Sequence, residues 1–244
     1  MTVPAAEQYK LSHNMSRLTR TLAVLLLGAS ALSAAEPPPD QLTDAEKAAG
    51  WRLLFDGRSL AGWQVAGKNT PPTQGWVVED GILKKQQGVR GGDLLSVEAF
   101  DDFEFAWTWR LPGNGNNGVK FFVVPERGIV GHEYQMYDEK RGGEGKGSTG
   151  SFYDVLPPNP GRLPFTTAEW NHSRVLVQGN HVEHWLNGQK ILEYELGSPE
   201  VLAAVQNSKF RNTRDFGKKV KGHILLTDHG DAAWFKDVKI REIR

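Results

Sequence analysis

Residues 103–110 read Phe-Glu-Phe-Ala-Trp-Thr-Trp-Arg, with an aromatic ring at every second position. Only a β-strand repeats its side-chain direction every two residues, so Phe103, Phe105, Trp107 and Trp109 form a wall on one face. A wall of that size must be covered by another layer. The same alternation predicts strands at Trp76–Glu79, Val119–Val124, Glu133–Tyr137, Ser173–Gln178, His181–Leu186, His223–Thr227 and Ala233–Ile243. Turns at Asp80-Gly81, Gly179-Asn180 and Asn187-Gly188 punctuate them, the last being a strong hairpin signal. No long amphipathic helix competes. Many short strands at near-regular spacing predict an all-β, two-sheet antiparallel sandwich spanning residues 50–244 as one domain. Before it, residues 36–49 form a proline-rich linker and one short N-terminal helix, which the capping box Thr43-Asp44-Ala45-Glu46 opens and Gly50 ends.

Charge and composition narrow the function. The 29 basic and 29 acidic residues balance, leaving no basic footprint for a nucleic-acid backbone. The absence of cysteine excludes disulfides, thiolate metal sites and a cysteine nucleophile. Arg17 and Arg20 precede an apolar run from Leu22 to Leu32 that closes on Ser33-Ala34-Ala35, so residues 1–35 read as a signal peptide cleaved after Ala35. Met15 is an alternative start. The apolar run is shorter than the roughly 20 residues of a spanning helix, so no membrane span is expected after cleavage. A periplasmic or secreted protein follows.

Polar chemistry gathers in two stretches, Asn114 to Lys120 and His132 to Asp138. Period two puts Glu133 and Gln135 on one sheet face and Tyr134 and Met136 on the other, and either pair could face a cleft. Five residues of strand separate Glu133 from Asp138 by about 16 Å and turn them to opposite faces, which disfavours the carboxylate pair of an ordinary glycosidase. The histidines form no metal-binding spacing. His229, in Thr227-Asp228-His229-Gly230 at a strand end, is the best placed to act; His184 reads first as a structural histidine and second as a sugar contact. Trp107 and Trp109 belong to the wall, whereas Trp51, Trp63 and Trp76 stay ambiguous. The polar segment 139–150 reads as a mobile surface loop, and Gln206 to Lys221 as a solvated one.

Taken in order, several stretches resemble the 3-keto-disaccharide hydrolase family. They are Gly50-Trp51-Arg52-Leu53-Leu54-Phe55-Asp56-Gly57 with Leu60-Ala61-Gly62-Trp63, the Trp76-to-Leu83 run, Asn117-Gly118-Val119-Lys120, Glu133-Tyr134-Gln135-Met136-Tyr137-Asp138, Trp170-Asn171, His184-Trp185-Leu186-Asn187-Gly188, Ser208-Lys209-Phe210, and Asp228-His229-Gly230 with Trp234-Phe235. The resemblance implies a concanavalin-A-like jelly roll and secreted or periplasmic proteins that act on glycosides whose sugar is oxidised at C3. The chain departs from the family pattern twice: Asn117 stands where serine is usual, and Thr227 where glutamine is usual.

A ketone at C3 acidifies the C2 proton and lies β to the glycosidic oxygen, so a base can eliminate the aglycone and water can add back. Such chemistry needs a base, a proton donor and positive or hydrogen-bonding groups near the developing enolate. Glu133 or His229 is the expected base; Asp138 and Asp228 are expected to orient groups or to bind a metal. Lys120 and Lys209 would meet the enolate or hydroxyls, with Gln135, Tyr153 and Asn117 as sugar contacts. No cofactor is required; a divalent ion would sit on Glu133, Asp138 or His229. The alternatives are a non-catalytic carbohydrate-binding module, marked by an exposed tryptophan strip, and a conventional endoglucanase, marked by facing Glu133 and Asp138 carboxyls.

Overall fold

A computed structural model describes residues 40–141 and 144–243 of the chain. The signal-peptide expectation for residues 1–35 and the linker up to residue 39 lie outside the described residues. Helix α1 (Asp44–Ala48) carries both halves of its capping box: the Glu46 amide donates to Thr43 Oγ1 at 3.1 Å, and the Thr43 amide to Glu46 Oε2 at 2.8 Å.

The strands described are β1 (Arg52–Leu53), β2 (Trp63–Val65), β3 (Trp76–Glu79), β4 (Ile82–Lys85), β5 (Leu94–Phe100), β6 (Phe103–Arg110), β7 (Asn116–Val123), β8 (His132–Tyr137), β9 (Asn171–Gln178), β10 (His181–Leu186), β11 (Gln189–Glu195), β12 (Gly222–Leu226) and β13 (Ala233–Glu242). One eight-stranded antiparallel sheet runs β11-β10-β9-β6-β13-β4-β3, with β1 also paired to β13. The other, five-stranded, runs β2-β5-β12-β7-β8.

The aromatic wall is the inner face of β6, at most 1% exposed. The smaller sheet covers it. Phe121 meets Phe103 edge-on at 6.2 Å, and Tyr134 meets Trp107 edge-on at 5.0 Å, each such pair adding about 0.5–1.5 kcal/mol to the burial itself. Trp63 and Trp76 are core as well; their indole N–H groups donate to the Leu54 and Gly92 carbonyls.

Three local expectations need correction. A second helix, α2 (Pro199–Gln206), follows β11, with Ser198 as its N-cap and Pro199 in its first turn. The loop 139–150 is not surface throughout: Ser148, Thr149 and Gly150 are buried, because the Thr149 hydroxyl bonds the Tyr137 backbone in both directions and Arg162 donates to the Thr149 carbonyl. The segment after α2 is anchored too, since Phe216 is buried and stacks on Phe210 at 4.1 Å.

Candidate active site

The cleft is built on β7 and β8. Their register sets Gly118 opposite Gln135 and Lys120 opposite Glu133, so these side-chain positions share one face. Tyr134 and Met136 occupy the inner face at 0% exposure, which leaves Glu133 and Gln135 on the outer one. The free edge of β8 is closed by residues 150–153: the Gly150 amide donates to the Gln135 carbonyl at 2.8 Å and the Tyr153 amide to the Glu133 carbonyl at 3.0 Å.

Over this floor lies a cavity of about 150 Å³, lined by Asn116, Lys120, Glu133, Gln135, Tyr153, Lys209, Phe210 and His229 and walled by 129–131. Glu133 is 5% exposed, and its Oε1 is buried without a hydrogen-bond partner. That oxygen lies 3.9 Å from His229 Nε2. A buried acid oxygen left unpaired is unfavourable in a resting fold, so it marks a place where a ligand proton is met. Gly118 makes room for it: a Cβ there would stand 2.2 Å from Glu133 Oε1. Lys209 holds its ammonium 4.1 Å from the centre of the Tyr153 ring, and its amide donates to Asp154 Oδ2 at 2.6 Å, which fixes the arm after α2 at the cleft rim.

His229 is presented by a rigid loop between β12 and β13. Its neighbour Asp228 is buried and ion-paired with the fully buried Lys85 at 3.0 Å. Asp228 Oδ2 accepts from the Gly91 and Gly92 amides at 2.8 and 3.0 Å, and Arg90 donates to the Asp228 carbonyl at 2.6 Å. Burial works to raise the Asp228 carboxyl, but the Lys85 ammonium and the two glycine amides outweigh it and hold the group below its ordinary value.

Of the residues expected from sequence, Glu133, His229, Lys120, Gln135, Tyr153 and Lys209 meet in this cleft. The others do not line it. Asp138 accepts from the Asn114 amide, in the turn before β7, at 2.7 Å and from the Lys140 amide at 3.2 Å. Asn117 points inward at 0% exposure, with its side-chain amide donating to the Thr227 carbonyl and its oxygen accepting from the Gly118 amide. His184 is a core residue, its Nδ1 bonded to the Gly150 carbonyl at 2.9 Å and its Nε2 3.3 Å from the Tyr194 hydroxyl. Burial pushes its pKa down to about 4. Asp228 supports His229 without lining the cleft.

Asn116 and Phe210 were missed. Parity finds the first: with Lys120 facing out, Gly118 and Asn116 must face out too, and Asn116 Oδ1 accepts from Gln135 at 3.3 Å. No tryptophan lines the cleft. A larger hollow of about 370 Å³ beside Leu192, Tyr194 and Val201 lacks any buried unpaired acid and carries no such chemistry.

Residues 50–241 match the family described as the 3-keto-alpha-glucoside-1,2-lyase-like domain. The chain belongs to this family. Every residue of the cleft falls inside the matched span. A 3-keto-disaccharide hydrolase of Bacteroides thetaiotaomicron is 29% identical over 248 residues, covering 86% of this chain and 83% of that one. A crystal structure from Parabacteroides distasonis, described as a candidate glycosyl hydrolase, matches with a TM-score of 0.75 at 30% identity, over 85% of this chain and 100% of that one. A second structure of a candidate glycosyl hydrolase from the same organism matches at 0.64 and 23% identity, over 79% and 99%, and bears on the fold alone. As a member of the 3-keto-alpha-glucoside-1,2-lyase-like family the chain is a hydrolytic enzyme, and a carbohydrate substrate is consistent with that family.

Proposed function

We propose that the protein cleaves glycosides whose sugar carries a ketone at C3, by elimination followed by hydration. Glu133 takes the C2 proton, the electron pair forms the C1–C2 double bond conjugated to the C3 ketone, and the bond from C1 to the glycosidic oxygen breaks. His229 supplies the proton that the departing oxygen needs. Lys120 and Lys209 face the negative charge that develops on the C3 oxygen. Water then adds its oxygen at C1 and returns a proton to C2, giving net hydrolysis. The carrying observation is the buried, unpaired Glu133 oxygen 3.9 Å from His229 Nε2, in a cleft that also holds two lysines. This route uses one base and one donor, and Asp138, which an ordinary glycosidase would need across from Glu133, is engaged by the Asn114 and Lys140 amides. The leader-like residues 1–35 support action in the periplasm or outside the cell.

The test is aglycone release from a 3-keto-glucoside and from its unoxidised parent, with and without chelator. Release from the keto sugar alone is expected, and Glu133→Gln and His229→Ala should each lower turnover at least about 10²-fold. Cleavage of the parent would point to a conventional glycosidase, and binding without release to a carbohydrate-binding module. Loss of release with chelator would add a divalent ion on Glu133 and His229, which would act as a Lewis acid at the C3 oxygen.

A further inference from the structure

A histidine that transfers protons is ordinarily aimed by a third group bonded to its ring. His229 has no such group. Among the described residues its ring makes no hydrogen bond, and Glu133 Oε1 stands at 3.9 Å, beyond hydrogen-bond reach. Its side chain is 42% exposed, so packing holds it only in part. The aim of the imidazole therefore has to come from the backbone on either side of it.

That backbone is held by a second loop. Residues 86–93 join β4 to β5, residues 227–232 join β12 to β13, and the two loops are bonded along their length. The Gly88 amide donates to the Gly230 carbonyl at 2.7 Å, the Asp228 amide to Asp93 Oδ1 at 2.7 Å, and the Ala232 amide to Gln87 Oε1 at 2.9 Å. Lys85 braces the 86–93 loop in turn, donating to the Gln86 and Val89 carbonyls at 2.8 and 2.6 Å.

Arg90 closes this arrangement from outside. Its Nη1 donates at 2.6 Å to the Asp228 carbonyl, the oxygen of the peptide that enters His229, and stands 3.7 Å from Asp228 Oδ1. The same guanidinium covers the residue after His229: a Cβ on Gly230 would come 3.3 Å from its central carbon. Gly230 takes φ 85°, and a glycine resists rotation little by itself, so this side of His229 depends on what is packed against it. One side chain thus spans both neighbours of His229. It is nevertheless 69% exposed and is not among the residues lining the cleft. Lys85 and Asp228 are buried and hold the fold as well, whereas the contacts of the Arg90 guanidinium fall on the His229 loop.

We infer that Arg90 is a positioning residue for the reaction: it fixes the chain on both sides of His229 and so keeps Nε2 facing Glu133 and the departing oxygen. The inference rests on the donor role given to His229 above. A loosened imidazole leaves the sugar able to bind but seldom meets the reacting oxygen, so the loss falls on kcat and not on KM.

The experiment is a double-mutant cycle of Arg90→Ala and His229→Ala, with kcat and KM measured on a 3-keto-glucoside and urea midpoints taken on the same preparations. Arg90→Ala alone should lower kcat by about tenfold or more, with KM within about twofold of wild type and the urea midpoint nearly unchanged. In the His229→Ala background the same substitution should cost less than about twofold, because the group it positions is gone. Wild-type kcat in Arg90→Ala overturns the inference. So does a raised KM, which would put the guanidinium on the substrate, a loss of equal size with and without His229, or a collapse of the urea midpoint, which would make Arg90 a prop of the fold. Wild-type turnover in His229→Ala refutes the donor role itself, and the inference falls with it; impaired His229→Ala beside unimpaired Arg90→Ala refutes the inference alone.

Discussion

Replacing Gly118 by alanine would place a methyl group where the Glu133 carboxylate now rests. The new Cβ would stand 2.2 Å from Oε1 and 3.0 Å from Cδ and Cγ, against an ordinary contact of 3.4 Å, so the carboxylate must retreat by more than 1 Å. A displacement of about 1 Å at a reacting group lowers rates by about 10²-fold, equivalent to about 2.7 kcal/mol of transition-state stabilisation. The fold should barely notice. The atom displaced is the far end of a flexible side chain, Gly118 is not in the left-handed region, and alanine in a strand recovers about 0.5–1 kcal/mol of backbone entropy. The measurement is kcat/KM on a 3-keto-glucoside, alongside the urea midpoint of the same preparation. A variant with an unchanged midpoint and activity within about threefold of wild type would show that the position of the Glu133 carboxylate does not matter to the reaction.

Three further outcomes follow from buried polar groups. His132 and His184 are pushed down to about 3 and about 4 by burial, so the unfolded chain holds more protons below pH 6.5 and stability falls as the pH drops. Asp40, raised to about 6, recovers part of the loss. From pH 6.5 to 4.5 the net decrease should be roughly 3 kcal/mol in chelated buffer, and a flat urea-unfolding profile over that window would contradict it. Asp228→Asn leaves Lys85 buried without its counter-charge and should lower unfolding free energy by about 3–5 kcal/mol by urea denaturation; a change under about 1 kcal/mol would mean the pair is unimportant. Asn117→Ser and Thr227→Gln each break a buried contact between these two residues, so their double mutant should be more stable than the sum by about 1 kcal/mol, and strict additivity in a thermodynamic cycle would exclude that coupling.

The fold was legible wherever burial alternates. The run of β6 gives itself away because aromatic and polar residues take strict turns, and Glu133 and Gln135 sort to one face by the same rule. Strand β5 escapes it because Leu94, Leu95 and Ser96 are buried in succession, and its pairing with β12 shifts register between His223 and Leu225. In β7 the residue Phe122 takes φ 60°, and Phe121 and Phe122 are both buried, so the alternation that puts Asn116, Gly118 and Lys120 outside stops at Phe121. Asp138 looked available because its partner, the Asn114 amide, is 24 residues away. Lys209 reached the cleft through Asp154, a contact across 55 residues that no local pattern encodes. The two departures from the family pattern, Asn117 and Thr227, sit 110 residues apart in sequence and in contact in the fold.

The placement of the indoles decides what light can report. Of the eight tryptophans, Trp63, Trp76, Trp107 and Trp109 are within the core and Trp51, Trp170, Trp185 and Trp234 are partly buried, while the aromatic rings lining the cleft are those of Tyr153 and Phe210. Because no tryptophan is among the residues lining the cleft, intrinsic tryptophan emission will follow loss of the sandwich more directly than a sugar entering the cleft. A titration followed by that signal would under-report binding, so occupancy is better followed calorimetrically or through a tryptophan introduced at Tyr153.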